Sequence, residues 1–291
     1  MRYQLGRCRD VWPINEEAGI PPHGWQGWPE GKQFALVLTH DVDTAKGQGK
    51  CIQLARLEES LGFRSSFHFV PEAYSINAEV RRYLIEKGFE VGVHGLNHSG
   101  NPFHSRKVFL KQMPIINHYL KEWGSAGFRA PCMYHNLDWI GELNIDYDAS
   151  TFDTDPFEPQ PDGVRTIFPF WVHNKHIDGG FVELPYTLPQ DFTLFILMQE
   201  KDIQIWRKKL DWIVQRGGMA LVNVHPDYMS FNGEKSAIRE YPASYYREFL
   251  IYIKENFKDR YWHVLPRDMS RFWAKHCLPK NETLIENESV P

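Results

Sequence analysis

The segment Phe34-Ala35-Leu36-Val37-Leu38-Thr39-His40-Asp41-Val42-Asp43 decides the fold of this chain. Five consecutive apolar residues leave no polar face, the mark of a short strand buried on both sides in a helix-covered parallel sheet. Two carboxylates, two residues apart, follow that run. The same grammar repeats downstream. Leu54, Leu57 and Leu61 recur at helical spacing, and Gly62 stands where a helix C-cap glycine belongs. Ser66-Phe67-His68-Phe69-Val70 reads as a second strand closed by Pro71. Val80, Tyr83 and Leu84 mark another helix ended by Gly88, and Glu90-Val91-Gly92-Val93 is a third strand.

Further along, Phe109, Met113, Ile116 and Leu120 form a helical stripe that Pro114 is expected to kink or restart. Gly127-Phe128-Arg129-Ala130 reads as a strand, and Ile145 to Phe152 contains another. Between about 153 and 195 repeated prolines weaken the pattern. Trp206, Leu210 and Ile213 then predict a helix before the apolar run Met219 to Val224. Tyr246, Phe249, Leu250 and Ile253 predict one before Trp262-His263-Val264-Leu265. Strands alternating with helices imply parallel βαβ units. The expected fold is α/β, a distorted (β/α) barrel of about seven parallel strands, with an open doubly wound sheet as the alternative. Residues 1–33, rich in Pro, Gly and Trp, are expected to form an irregular arm packed on a barrel of residues 34–279, with a polar tail at 280–291.

With 291 residues, the chain is long enough for one α/β barrel of roughly 250 residues. Lys and Arg total 33 against 37 Asp and Glu, so the net charge of −4 argues against a nucleic-acid binder. No apolar run reaches the roughly 18 residues of a membrane span. Met1 to Ile20 lacks the apolar core of a secretory signal, which makes a cytoplasmic location the expectation. The 4 cysteines (Cys8, Cys51, Cys132, Cys277) are too scattered for a disulfide scaffold or a CxxC site, whereas His occurs 13 times. Any metal would therefore be held by nitrogen and oxygen. No glycine-rich phosphate-binding motif follows a strand.

In parallel α/β folds chemistry gathers at the C-terminal ends of strands. The first strand ends in Asp41 and Asp43. The third ends His94-Gly95-Leu96-Asn97-His98, two imidazoles that can share one face of a helical turn and grip one cation. The fourth ends Arg129-Ala130-Pro131, and the run from Met219 ends in His225-Pro226. Each element taken alone has an ordinary structural reading: Asp-x-Asp as a helix cap, Arg129 as an ion-pair arginine, His225 as a satisfied core histidine. Their joint placement, each after its own strand, points to a site.

This ordered set resembles the polysaccharide deacetylases, the NodB-homology or carbohydrate esterase family 4 proteins, in five motifs spread from about residue 34 to 270. The spacer in Thr39-His40-Asp41-Val42-Asp43 resembles the Asp-x-Asp variant, in the branch with peptidoglycan-deacetylase-like and allantoinase-like members. The resemblance implies Asp41 as catalytic base, and Asp43, His94 and His98 as ligands of one divalent metal ion. Zinc is the default, and iron, cobalt, nickel or manganese suit the same ligands. It also implies that Arg129 orients the base and that the backbone N–H of Cys132, which stands where the family has Tyr, stabilises an oxyanion. His225 is implied as general acid. The fourth motif, an acid orienting that histidine, falls on Tyr147 to Asp155, where three aspartates compete and Asp153 is the choice.

The implied reaction is metal-dependent hydrolysis of a C–N amide bond, with N-deacetylation of an acetamido sugar or polysaccharide precursor first in order. Hydrolysis of small cyclic or linear amides is the alternative, and a catalytically silent carbohydrate-binding protein is the alternative of another class. A small-molecule or carbohydrate substrate is expected. Phe168 to Trp171 and Glu183 to Phe192 are candidate groove residues, although aromatic packing of the barrel is the favoured reading of both stretches.

Overall fold

A computed structural model describes residues 12–99, 101–160, 163–174, 179–231 and 239–277. Residues 1–11 of the arm, Cys8 among them, and the tail at 280–291 lie outside the described residues. The apolar run that opens the pattern lies in β1 (Phe34–Val42), buried along its whole length. Parallel pairing continues from β1 through β2 (Ser66–Phe69), β3 (Glu90–His94), β4 (Gly127–Arg129), β5 (Tyr147–Asp148) and β7 (Gly180–Glu183). On the other edge of β1 lies β8 (Met219–Val224), also parallel. The segment after β7 completes the turn of the barrel, because Thr187 and Leu188 N–H donate to the Leu221 carbonyl at 3.0 and 3.1 Å.

Seven parallel strands thus curl around one interior. Two further strands attach to them. β9 (Tyr261–His263) shares the edge of β1 that β2 occupies higher up, and β6 (Phe170–His173) pairs antiparallel with β7. That antiparallel pair lies in the proline-rich region where periodicity is silent.

Helices cover the outside: α1 (Cys51–Leu61), α2 (Ala78–Glu86), α3 (Arg106–Trp123), α4 (Gln204–Arg216), α5 (Ala243–Asn256) and α6 (Pro266–His276). Gly62 caps α1 at φ 85°, a left-handed conformation that costs glycine little. Pro114 neither stops nor restarts α3, which continues for 18 residues through it. Pro114 and Leu110 are both exposed, so the carbonyl that loses its helical donor faces water. In the arm, Trp28 is 4% exposed and donates its indole N–H to the Gly217 carbonyl at 2.8 Å.

The two-residue period of β1 sorts its polar residues. Thr39 and Asp41 point into the barrel and reach Arg129, while His40 points outward to Glu58 under the helices. His68, opposite Asp41 in β2, also lies inside. Its ring rests over Gly92, where a Cβ would come within 2.1 Å of it. Below, Tyr147 donates to Glu90 at 2.8 Å, and the Arg267 N–H donates to the same carboxyl at 3.1 Å.

Burial pushes the Glu90 carboxyl from 4.5 up to about 7. The unfolded chain therefore ionises first. Stability is complete below about pH 4.5 and is lost as pH rises through about 7. At 1.36 kcal/mol per unit the loss totals about 3 kcal/mol. Glu90→Gln should flatten the pH dependence of urea-unfolding free energy between pH 5 and 8; an unchanged slope would show that Glu90 is not responsible.

Candidate active site

Arg129 is fully buried at the end of β4. Its Nη1 donates to Asp41 Oδ1 at 3.0 Å, Thr39 Oγ1 at 3.0 Å and Asn223 Oδ1 at 2.6 Å, and its Nε donates to the Ala149 carbonyl at 2.8 Å. Asn223 Nδ2 donates to the other oxygen of Asp41 at 2.8 Å. Burial alone would raise the Asp41 carboxyl. Arg129, and after it His94 and His225, instead hold it far below the usual carboxylate range. Asp41 is an ionised acceptor fixed at both oxygens.

Asp43 lies just beyond β1, its N–H donating to Asp227 Oδ2 at 3.0 Å. The buried Asp43 Oδ1 has no hydrogen-bond partner of good geometry among the described residues, yet stands 3.1 Å from His98 Nε2 and 3.5 Å from His94 Nε2. His94 Nδ1 faces the Arg129 carbonyl at 3.1 Å. Donation there fixes the tautomer and leaves the Nε2 lone pair for the site, the arrangement of a histidine ligand. Burial also lowers the His94 pKa, favouring the neutral form that ligation requires. Burial likewise disfavours the charged form of His98, but Asp43 outweighs it and raises that imidazole. One ligand atom from each of Asp43, His94 and His98 lies within 4.8 Å of the others. An orphaned buried carboxylate oxygen facing two imidazole nitrogens fits a divalent cation.

The two histidines do not converge on a helical turn as their spacing suggests. Gly95 (φ 61°) and His98 (φ 51°) are both left-handed, and the chain reverses between them. Gly95 is required there, since a Cβ would lie 2.5 Å from the Pro131 ring.

His225 follows β8, as expected, but its acidic partner is not Asp153. Asp153 is buried against Lys209 of α4, which donates to it at 2.5 Å. The partner is Asp191, 2.7 Å from His225 Nδ1 and 2.8 Å from the His225 N–H, with Tyr241 donating to it at 2.9 Å. Burial alone would lower the His225 pKa, but Asp191 raises it to about 10, so the ring carries a proton at neutral pH. His225 Nε2 is 3.9 Å from Asp41 Oδ2, and His94 Nε2 is equally far from that oxygen.

Asp41, Asp43, His94, His98, Cys132 and His225 all open onto one cavity of about 240 Å³. Cys132 and Met133 follow each other at φ 53° and 52°, a left-handed pair that costs about 1 kcal/mol or more per residue. The stretch Glu183 to Phe192 supplies Gln190 and Phe192 to the same cavity. Phe168 is instead buried against Trp28, and Trp171 lines a separate groove with Trp25 and Trp273. Asn223, Asp191 and Asp227 are site residues that motif reading passes over. Asn223 was findable, because it lies two residues before His225 in a strand and so shares its face. Asp191→Asn should lower the His225 pKa by more than one unit from about 10 in an NMR titration; an unmoved value would remove Asp191 as the cause.

The sequence matches no protein-family model and no curated protein. Solved structures do match. A protein from Mycobacterium smegmatis assigned as a polysaccharide deacetylase superposes with a TM-score of 0.65 at 19% identity, over 89% of this chain and 96% of its own. The Puue allantoinase gives 0.69 at 15% identity, over 88% and 94%. A protein from Pseudomonas aeruginosa PAO1, also assigned as a polysaccharide deacetylase, gives 0.66 at 16%, over 88% and 95%. The likeness spans the whole barrel and not the motifs alone: this chain has the fold of the polysaccharide deacetylases.

Proposed function

We propose that this chain is a metal-dependent hydrolase that cleaves a C–N amide bond, with Asp43, His94 and His98 holding one divalent cation. The observation that carries this reading is Asp41. It is ionised, takes no part in the ligand triad, and lies 3.9 Å from both His94 Nε2 and His225 Nε2. These distances support reading Asp41 as a base between a metal site and a protonated acid. Zinc is the default ion, and the ligand set also accepts iron, cobalt, nickel or manganese. A cation there supplies Lewis-acid polarisation of the amide carbonyl.

The protein groups do the rest. Asp41 removes a proton from the attacking water, and Arg129 and Asn223 keep it ionised and aimed. His225, charged because Asp191 faces its Nδ1, delivers a proton from Nε2 to the leaving nitrogen. The backbone N–H of Cys132 donates to the developing oxyanion. A catalytically silent binding protein has no use for this pairing of an ionised base with a charged acid.

Two substrate classes suit the chemistry, an acetamido sugar and a small cyclic or linear amide. The cavity of about 240 Å³ favours the compact, monomeric members of either class over a polymer strand.

Asp41→Asn should lower kcat by on the order of 10²–10⁴-fold while metal content by elemental analysis stays that of the wild type. Unchanged turnover would place the base elsewhere. His94→Ala should lose the bound metal, and a metal-replete variant would contradict the ligand assignment. Chelator treatment should abolish acetate release from a panel of N-acetyl sugars and small N-acetyl amines, and added zinc should restore it; chelator-resistant release would refute metal dependence.

A further inference from the structure

Among the residues that line this cavity stands a carboxyl group with no part in the mechanism above. Glu158 lines the cavity between Phe157 and Pro159 and is 8% exposed. Its Oε1 accepts from Tyr186 at 2.6 Å and from Gln190 Nε2 at 2.5 Å. The oxygen of the Gln190 amide accepts from Asn223 at 3.2 Å, and Asn223 donates to Asp41 at 2.8 Å. A hydrogen-bonded chain of two amides therefore sets the position of Glu158 relative to the catalytic base. Tyr186 is within 2.9 Å of Asp155 as well. The carboxyl is thus held at Oε1 in a cavity that Met133, Phe157, Phe192 and Leu197 also line. Its Oε2 takes no hydrogen bond among the described residues, so a ligand that covers it without offering a donor strips it of water for no return.

The cavity also limits what the donor is attached to. At about 240 Å³ it lies below the roughly 300–1,000 Å³ of pockets that take drug-sized ligands, which suits a small amide.

We propose that Glu158 is the specificity-determining residue of this cavity, its carboxyl receiving a hydrogen-bond donor, an ammonium or a hydroxyl, carried by the substrate at the end away from the scissile amide. The proposal rests on the amide-hydrolase reading above and names the substrate class as small amides with a distal donor. Burial and the neighbouring Glu158 raise Asp155 to about 8, and burial raises Glu158 as well.

The test uses three isosteric amides on the full-length protein: N-acetyl-1,3-diaminopropane, N-acetyl-3-aminopropanol and N-acetylbutylamine. Calorimetric binding and steady-state hydrolysis are measured for each, with wild type and with Glu158→Gln, whose folding is checked by thermal unfolding. The amine or the alcohol should bind at least about tenfold more tightly than the butyl compound, and Glu158→Gln should collapse that ratio through KM and not kcat. Which of the two is preferred identifies the donor. Equal binding of all three by wild type, no binding by any, or a ratio that survives Glu158→Gln overturns the proposal. Selective binding without hydrolysis would leave the Glu158 assignment standing and refute the hydrolase reading; hydrolysis of all three with equal KM would do the reverse.

Discussion

A guanidinium with no access to solvent sits where the strands of this barrel meet, and it dictates the arrangement around it. Removing such a charge from water is expensive unless partners surround it. Arg129 finds them on separate strands: Thr39 and Asp41 from β1, Asn223 from β8, and the Ala149 carbonyl just past β5. Its own carbonyl then receives His94. One residue thus organises the proposed base through its side chain and a proposed ligand histidine through its backbone. Packing demand and the geometry of the candidate site are satisfied by the same contacts, so neither can be altered alone.

The two ionised carboxylates of the first strand illustrate how position separates roles. Asp41 takes one donor on each oxygen, from Arg129 and Asn223, whereas Asp43 keeps an oxygen unpaired and turned to two imidazoles. A carboxylate pinned at both oxygens is a well-aimed acceptor with lone pairs to spare. The orphaned one is costly until a cation arrives. A similar division holds between the histidines: His94 is kept neutral by burial, while His225 is kept charged by Asp191.

Most of the barrel, and the grouping of Asp43 with His94 and His98, were legible in the sequence, since both depend on short-range signals. Buried runs, helix stripes and polar residues immediately after strands are local, and β1, β8, Asp43, His94 and His98 follow from them. The region between about 153 and 195 was not legible. There the chain leaves regular pairing, and residues 186–188 join the barrel through single hydrogen bonds to Leu221 and a bridge from Phe152. Asp191 reaches His225 by that non-local register, which no sequence period encodes, so local spacing points to Asp153 in its place. Nothing near Asp153 announces that Lys209, 56 residues away, takes up its charge. The turn at His94–His98 was legible in its residues but not in its geometry, because a left-handed histidine carries no sequence mark.

The Lys209 ammonium has a second partner, the carbonyl of Pro13 at 2.5 Å. An ammonium buried in α4 is therefore solvated jointly by the loop that begins at Asp153 and by the arm that precedes β1. Asn15 strengthens the tie by donating to Thr154 at 3.1 Å. A shortened chain that starts at the first strand would keep every residue of the active site and still strip one cap from a buried cation. Its loss would be felt first in the loop that leads to Glu158, which makes Pro13 and Asn15 a strut for the cavity wall.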